Sequence, residues 1–535
     1  MIKFTDVSFG FPQKELYNKI CFEIEKNEHA VLIGSNGTGK STLVDMIMNK
    51  DDYLYDGKIE MEPNIRIGYV SQFVKHEDGD ISSYDYLSKP FIELQAKADE
   101  VCAQMENADD MEAAYEKYQE CLDEIEAVDG YNFDTNIKKR LAVAGINELE
   151  NISVNKISGG EFKLLSIIRN MLLKPQLLIM DEPDVFLDFE NIVGLSKLIN
   201  SYEGTILVIT HSRLLLSQCF DKILHIENEE LQEFPGTFAE YNYAMLETKI
   251  QMQEQATKDE EWIETQKKLV ERMRADASKI ANSTKGRQLK ARVSYLERLE
   301  KKKTNNPFIE EHDYDFTFPE ITFGEEDKNS ENELAFEVKN YSLTYDKTIL
   351  SDVNFEIKKG EKVAIVGANG TGKSSLLKDV YAMLKEKDSV DQIGFFTQIY
   401  DDDEEKLSGG ERNIKQLHEI SNGSCSILFL DEPTSHLDTY AQIALEKAIA
   451  QYKGTVLMVS HDFYTVVNCA DRILILENGT LREMSARAYR KSIYKRYFDS
   501  DIFEAERIRK EKEIRINALL KSKDYENAWK VLKGE

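Results

Sequence analysis

Gly34-Ser35-Asn36-Gly37-Thr38-Gly39-Lys40-Ser41 returns almost unchanged as Gly367-Ala368-Asn369-Gly370-Thr371-Gly372-Lys373-Ser374. Both fit G-x-x-x-x-G-K-[ST], in which glycines let backbone N–H groups close around phosphate oxygens, the lysine reaches the outer phosphates and the hydroxyl faces Mg²⁺. Val31-Leu32-Ile33 and Val363-Ala364-Ile365-Val366 read as buried strands leading in. Leu43 to Met48 and Leu376 to Leu384 read as helices whose N-termini face the anion, with Thr42 and Ser375 extending the cradles. Two such strand–loop–helix units imply an α/β chain with two P-loop domains.

The repeat continues beyond the cradles. Lysine to lysine is 333 residues (40 to 373), and Gln72 to Gln398, in the matching Ile67-Gly68-Tyr69-Val70-Ser71-Gln72 and Ile393-Gly394-Phe395-Phe396-Thr397-Gln398, is 326. The offset then falls to 250 and holds: Ser158 to Ser408 in two Ser-Gly-Gly-Glu strings, Glu182 to Glu432 in two Asp-Glu-Pro strings, and His211 to His461. A fixed period with one localised change means a duplicated domain, and the first copy carries 76 extra residues (326 against 250) between Phe73 and Lys156.

The chain has 535 residues, room for three to four domain-sized units. No apolar run reaches the roughly 18 to 20 residues needed to span a bilayer, and no signal precedes Met1-Ile2-Lys3-Phe4, so a cytoplasmic protein without a membrane partner is expected. Cys21, Cys102, Cys121, Cys219, Cys425 and Cys469 form no C-x-x-C pair and read as reduced, buried thiols, with no metal site among them.

The other repeated residues suit hydrolysis of a nucleoside triphosphate. Leu177 to Glu182 and Ile427 to Glu432 read as buried strands ending in two carboxylates: Asp181 and Asp431 suit Mg²⁺, and Glu182 and Glu432 suit an attacking water. His211 and His461 each end an apolar strand, where an imidazole reaches a γ-phosphate. Gln72 and Gln398 follow strands and reach either the metal or the water.

Cradle, glutamine, Ser-Gly-Gly-Glu, Asp-Glu-Pro and histidine, in that order and twice, resemble the ATP-binding cassette superfamily, over most of the chain outside residues 236–330 and 485–535. The resemblance implies a head-to-tail pair of cassettes that sandwiches two ATP molecules. One site would combine Lys40, Ser41, Gln72, Asp181, Glu182 and His211 with Ser408, Gly409 and Gly410; the other would combine Lys373, Ser374, Gln398, Asp431, Glu432 and His461 with Ser158, Gly159 and Gly160. Phe11 and Tyr345 suit either an adenine-stacking role or a place in the core.

Residues 236–330 lie between the cassettes. From Phe238 to about Lys279 there is no glycine or proline, enough for a helix of about 60 Å at about 1.5 Å per residue. Asn282-Ser283-Thr284-Lys285-Gly286 breaks it, and Arg287 to Lys303 resumes helical spacing, which together read as a hairpin. Between Arg272 and Lys303 eleven Lys or Arg face three Asp or Glu, in a chain of formal net charge −29. Lys279, Lys285, Arg287, Lys290 and Arg292 at the tip suit RNA phosphates; the plain alternative is a solvated face on a coiled-coil connector.

Tandem cassettes, no membrane segment and a basic helical linker resemble the ABC-F family. That resemblance implies ribosome binding at the large subunit, with the linker reaching past rRNA and the exit-site tRNA toward the peptidyl-transferase centre, and either protection against antibiotics or control of translation. The insertion, about 76–150, matches the family's arm, with Phe91 to Ala127 reading as an acidic helical pair. The expected domains are 1–235 (first cassette with arm), 236–330 (linker), 331–484 (second cassette) and 485–535 (charged extension), in a monomer with an intramolecular cassette pair. Other classes are the ATPase subunit of a transporter and a DNA-repair-type cassette ATPase, which normally carries its coiled coil inside a cassette.

Two departures suggest unequal sites. Only Ile399 to Lys406 separates Gln398 from Leu407, and Asp184-Val185-Phe186-Leu187-Asp188 stands where Thr-Asn-His-Leu-Asp is usual, which places a carboxylate where it would disfavour ionisation of Glu182. In the extension, Tyr489, Tyr494, Tyr497 and Phe498 interleave with Arg487, Arg490, Lys491, Lys495 and Arg496, as an rRNA or ribosomal-protein contact or a helix docked on the second cassette would require.

Overall fold

The computed structural model describes the chain except residues 13, 73–78, 106–109, 280–288, 295, 297–315, 317, 319–332, 346–347, 387–392, 398–408, 422, 424, 498–499 and 535. The side chains of 276–279, 409, 411, 500–507 and 510 are also left aside. Gln398, Ser408, Lys285, Arg287 and the stretch Ile399 to Lys406 therefore lie outside the described residues, as does the Lys279 side chain.

Two compact units emerge: 1–238 with 313–497, and 239–312 with 498–535. The first holds both cassettes. In cassette one, β1 (His29–Ile33) lies between β4 (Thr205–Ile209) and β5 (Lys222–Glu227) in a six-stranded sheet. Its order is β2 (Ile67–Val70), β3 (Leu177–Asp181), β4, β1, β5 and β6 (Glu230–Pro235). All pairs are parallel except the closing β5–β6 hairpin. Strands covered on both faces read as continuous apolar runs, as in Thr205–Ile209, where every residue is buried.

Cassette two repeats that order with Ile393–Phe396, Ile427–Asp431, Thr455–Val459, Lys362–Gly367, Arg472–Glu477 and Thr480–Ser485. Each central strand delivers its P-loop to a helix, Lys40–Met48 or Lys373–Lys385. The preceding glycine is left-handed at both, φ 96 at Gly39 and 87 at Gly372. The lysine and the acidic strand end thus reach the same edge of each sheet, where α/β proteins bind ligands.

The insertion in cassette one is helical: Ser83–Met105 and Met111–Ala127 pair through Ala98, Cys121 and Ile125, flanked by a Lys97–Glu124 ion pair at 2.9 Å. Phe91 stacks on Phe133 of the next helix, Phe133–Ala144, at 5.4 Å, which ties the arm's base to the cassette.

The second unit contains the long helix Phe238–Lys279, apart from its first residue, and the C-terminal helices Ser500–Lys521 and Tyr525–Lys533. Ile250 is buried with Ile516, Leu520, Ala528, Val531 and Leu532. Tyr243 OH donates to the Leu532 carbonyl at 2.5 Å, and Trp529 Nε1 to Glu254 at 3.2 Å.

Two expectations change, and one open alternative closes. Cys21 and Cys102 are exposed rather than buried, because each falls on the solvent side of its strand or helix. The aromatic residues of Ala486–Tyr497 turn inward: Tyr494 lies 5.6 Å from Phe463 of cassette two, and Tyr497 lies 5.5 Å from Phe189 of cassette one. That helix docks across both cassettes, while the rest of the extension joins the long helix. Finally, Asp184 does not hold Glu182 protonated, for reasons of charge set out below. Among the described residues no helix is long and apolar enough to cross a membrane, and no cluster of His, Cys, Asp and Glu is arranged to hold a metal by itself.

Candidate active sites at the cassette interface

The cassettes meet through their P-loops. Asn36 donates from its backbone N to Asp438 at 3.2 Å and from Nδ2 to the His436 carbonyl at 2.9 Å. Asn369 repeats both contacts, to Asp188 at 3.0 Å and to the Phe186 carbonyl at 3.0 Å. Each P-loop therefore touches the segment that follows the Asp-Glu-Pro string of the opposite cassette.

That approach explains the glycines of the Ser-Gly-Gly strings. A β-carbon at Gly160 would fall 2.9 Å from the Phe186 carbonyl and 3.0 Å from Asn369 Nδ2. At Gly410 it would fall 2.6 Å from the His436 carbonyl and collide with Asn36 Nδ2. Ser158 caps the helix Gly159–Leu172, its Oγ accepting from Glu161 N at 3.2 Å. One cleft is lined by Ser158, Gly159, Gly160, Asn369, Lys373, Ser374, Ser375, Glu432, His461 and Tyr345. The expected residues thus come from both cassettes.

Inside each cradle the lysine folds onto the loop. Lys40 Nζ donates to the Gly34 and Ser35 carbonyls at 2.9 and 2.8 Å, and Lys373 Nζ to Gly367 and Ala368 at 2.9 and 2.8 Å. Thr38 and Thr371 hydroxyls each brace the loop by donating to the Ser35 or Ala368 carbonyl at 2.9 Å. Ser374 Oγ donates to Asp431 at 2.8 Å, which puts hydroxyl and carboxylate together as a hard cation requires. Burial, and then the Glu182 charge, push Asp181 up to about 6, and burial raises Asp431. A cation bridging serine and aspartate would relieve that cost.

Glu182 and Glu432 both adopt left-handed backbone, φ 44 and 49, a conformation costly for a glutamate and held by the surrounding fold. Their surroundings differ. Gln72 Nε2 donates to Glu182 Oε2 at 2.6 Å, and His436 Nδ1 from the other cassette lies 3.9 Å from the same oxygen. Burial works to raise Glu182, but His436, then His211 and Lys40, outweigh it and hold the carboxyl below its ordinary range. Asp184 instead carries the penalty itself: burial pushes it up to about 6, while the Thr210 hydroxyl donates to it. Lys163, whose Nζ also donates to the backbone carbonyls of Ser71 and Gln72, adds a compensating positive charge.

Glu432 has no such imidazole in its cassette-one neighbour, because Phe186 stands at the repeat position of His436. Burial pushes it up to about 8, against the His461 backbone N–H at 3.1 Å and the charge of Lys373. Burial and then the adjacent lysine charge lower His211 to about 4 and His461 to about 3, so both imidazoles are neutral at pH 7. His211 Nε2 and Glu432 Oε1 are buried without a hydrogen-bond partner, although His461 Nε2 lies 3.6 Å from the latter; both residues line the cleft, where a triphosphate and its attacking water would supply partners.

The remaining expected residues are peripheral or divided. Tyr345 is exposed, with its hydroxyl 3.4 Å from Ser375, and Phe11 is exposed and packs edge-on against Phe9 at 5.3 Å. In the second unit Lys290 is exposed, whereas Arg292 donates to Gln266 and so also joins two helical segments. His436, Lys163 and the interface residue Arg213 were missed from sequence. A histidine at 436 against phenylalanine at 186 was the available signal.

Comparison with known proteins agrees with this geometry. A profile described as ABC transporter matches residues 17–185 and 350–395, and a second with the same description matches 224–317. The chain is similar to the energy-dependent translational throttle protein EttA of Haemophilus influenzae, 28% identical over 86% of this chain and 89% of that protein. It is also similar to ABC transporter F family member 5 of Arabidopsis thaliana, 25% identical over 90% of this chain and 76% of that protein. The solved structure of RNase-L Inhibitor shares the fold, with a TM-score of 0.51 at 18% identity, covering 92% of this chain and 93% of its own. With two cassettes, paired P-loops and these relatives, the chain belongs to the ABC-F family of ATP-binding cassette proteins and hydrolyses ATP.

Proposed function

We propose that this chain is a cytoplasmic, monomeric ATPase that binds the large ribosomal subunit and uses its interdomain helices near rRNA and the exit-site tRNA, either to protect the peptidyl-transferase centre against antibiotics or to regulate translation. Each ATP is held by a P-loop, with Phe11 or Tyr345 against the adenine and Ser408, Gly409 and Gly410, or Ser158, Gly159 and Gly160, across from it. Ser41, Asp181 and Gln72, or Ser374, Asp431 and Gln398, would hold Mg²⁺, which would neutralise charge on the phosphates. Glu182 and Glu432 orient the water, and neutral His211 and His461 hydrogen-bond the γ-phosphate. ATP favours the closed pair and hydrolysis releases it.

The observation that carries this reading is the reciprocal pair of Asn36 and Asn369 contacts, which join the two cassettes of one chain without a second copy. The name of the EttA relative, a translational throttle, supports the ribosome as partner, and so does the basic stretch Arg272 to Lys303. The domain division 1–235, 236–330, 331–484 and 485–535 belongs to the same reading. Sedimentation through a sucrose gradient with ATP tests it. The Glu182→Gln/Glu432→Gln chain should travel with ribosomes, and a chain that stays at the top of the gradient with ATP bound overturns the ribosomal assignment.

A further inference from the structure

Between the two histidine segments lies a side-chain cluster that the ATP chemistry does not use. Arg213, two residues after His211, crosses the cassette interface. Its Nη2 donates to Asp462 at 2.6 Å and to Glu446, and its guanidinium carbon lies 4.9 Å from the Tyr464 ring centre. The ions are largely enclosed, with side-chain exposures of 11% for Arg213, 11% for Glu446 and 23% for Asp462. The Thr465 hydroxyl lies 2.6 Å from Asp462 and 3.0 Å from Glu446, able to donate its one hydrogen to either, and Asn468 Nδ2 donates to the second Glu446 oxygen at 2.9 Å. An arginine enclosed with two hydrogen-bonded carboxylates is held in place, because losing either side strands a buried charge.

What the cluster joins matters more than its strength. Asp462 directly follows His461, whose backbone N–H donates to Glu432 at 3.1 Å. On the other side, Ser212 N donates to the Thr210 hydroxyl at 3.0 Å, and that hydroxyl donates to Asp184, two residues after Glu182. The segment around one catalytic glutamate is thus tied, through a single guanidinium, to the segment around the other. The tie is one-sided. At the repeat offset of 250, Arg213 corresponds to Phe463, Asp462 to Ser212 and Glu446 to Ser196, so the mirror-related bridge has neither its cation nor its anions. Phe463 instead packs on Phe189 at 5.6 Å.

We propose that Arg213 is a positioning residue that couples the two ATP sites, so that the arrangement of the His211 segment in one site sets that of the His461 segment in the other. A nucleotide that moves either segment must carry the other with it or break a buried charge cluster, and that shared requirement is the coupling.

The test compares ATPase rates of the full chain and its single Glu182→Gln and Glu432→Gln forms, each with and without Arg213→Met. In the parent, the two single-variant rates should sum to well below the unsubstituted rate, about five-fold or more, because each site depends on its neighbour. With Arg213→Met the rates should become additive, and Arg213→Lys, which keeps the charge but not the forked geometry, should fall between. Arg496→Met removes the exposed Arg496–Glu190 pair, also between the cassettes, and should leave the parent shortfall intact. Should Arg213→Met fail to fold by thermal melting, Glu446→Gln takes its place and should at least halve the shortfall. Additive rates in the parent, an unchanged shortfall in the folded Arg213 or Glu446 variant, or an equal loss with Arg496→Met overturns the proposal.

Discussion

His436 of one cassette sets its Nδ1 3.9 Å from Glu182 Oε2 of the other, and Phe186 holds the corresponding position in the repeat. This exchange of an imidazole for a phenyl ring is one of several differences between the two sites, beside Asp184 against Thr434 and Lys163 against Asn413. Glu182 is held below its ordinary range, with burial opposed by His436, His211 and Lys40, whereas burial pushes Glu432 up to about 8.

Opposite effects on stability are expected from one substitution made at both glutamates. Glu432 ionises less readily in the fold than its ordinary 4.5, so it lowers stability as pH rises from that value toward 8. In nucleotide-free, magnesium-free protein, Glu432→Gln should raise Tm by a few degrees at pH 8.5, the gain shrinking toward pH 5. Glu182 is shifted the other way, so it stabilises above its ordinary value and loses that contribution as pH falls through its folded pKa. Glu182→Gln should lower Tm by a few degrees at pH 7. Calorimetry across this pH range checks both, and shifts of the same sign would refute the charge assignment.

Turnover should follow the same asymmetry. Glu182→Gln with Glu432→Gln should abolish hydrolysis while nucleotide remains bound, because the cradles are untouched. Of the single variants, Glu432→Gln should retain several-fold more ATPase at pH 7 than Glu182→Gln. Phosphate release assays decide this, and equal residual rates would count against unequal sites.

For the linker, alanine at Lys279, Lys285, Arg287 and Lys290 should weaken ribosome binding and flatten its dependence on salt, with ribosome-free ATPase within about two-fold of the parent. Arg292 is left in place because it also bonds Gln266. Pelleting at several salt concentrations provides the measurement, and an unaltered salt slope would favour an inert connector.

Deleting residues 525–535 should expose Ile250, Ile516 and Leu520 and loosen the packing of Phe238–Lys279. Limited proteolysis should then cut that helix at least several-fold faster, while ATPase changes little. Unchanged cleavage would show that the C-terminal helices do not brace it.

What could be read in the sequence was what is local. Gly34 to Ser41, the Asp-Glu strand ends and the 76-residue insertion are contiguous patterns, and their backbone requirements can be written from residue type alone. The contacts of His436 with Glu182 and of Arg213 with Glu446 join residues more than 200 positions apart, and no spacing rule connects them. Asp184 was weighed by its adjacency to Glu182, whereas its burial, Lys163 and the Thr210 hydroxyl govern its charge. The tyrosines of 486–497 fitted either an RNA or ribosomal-protein contact or a docked helix, because helical spacing does not say which side meets Phe463 and Phe189.

The packing of Ile250 against Ile516 and Leu520 also imposes an order on synthesis. Cassette one can collapse while the remainder is still being translated, since its sheet is complete by Pro235. The long helix that follows must wait for more than 200 further residues before its partners exist. A chain that stops early, even a few dozen residues short, would emerge with both nucleotide sites assembled and its central helix unsupported.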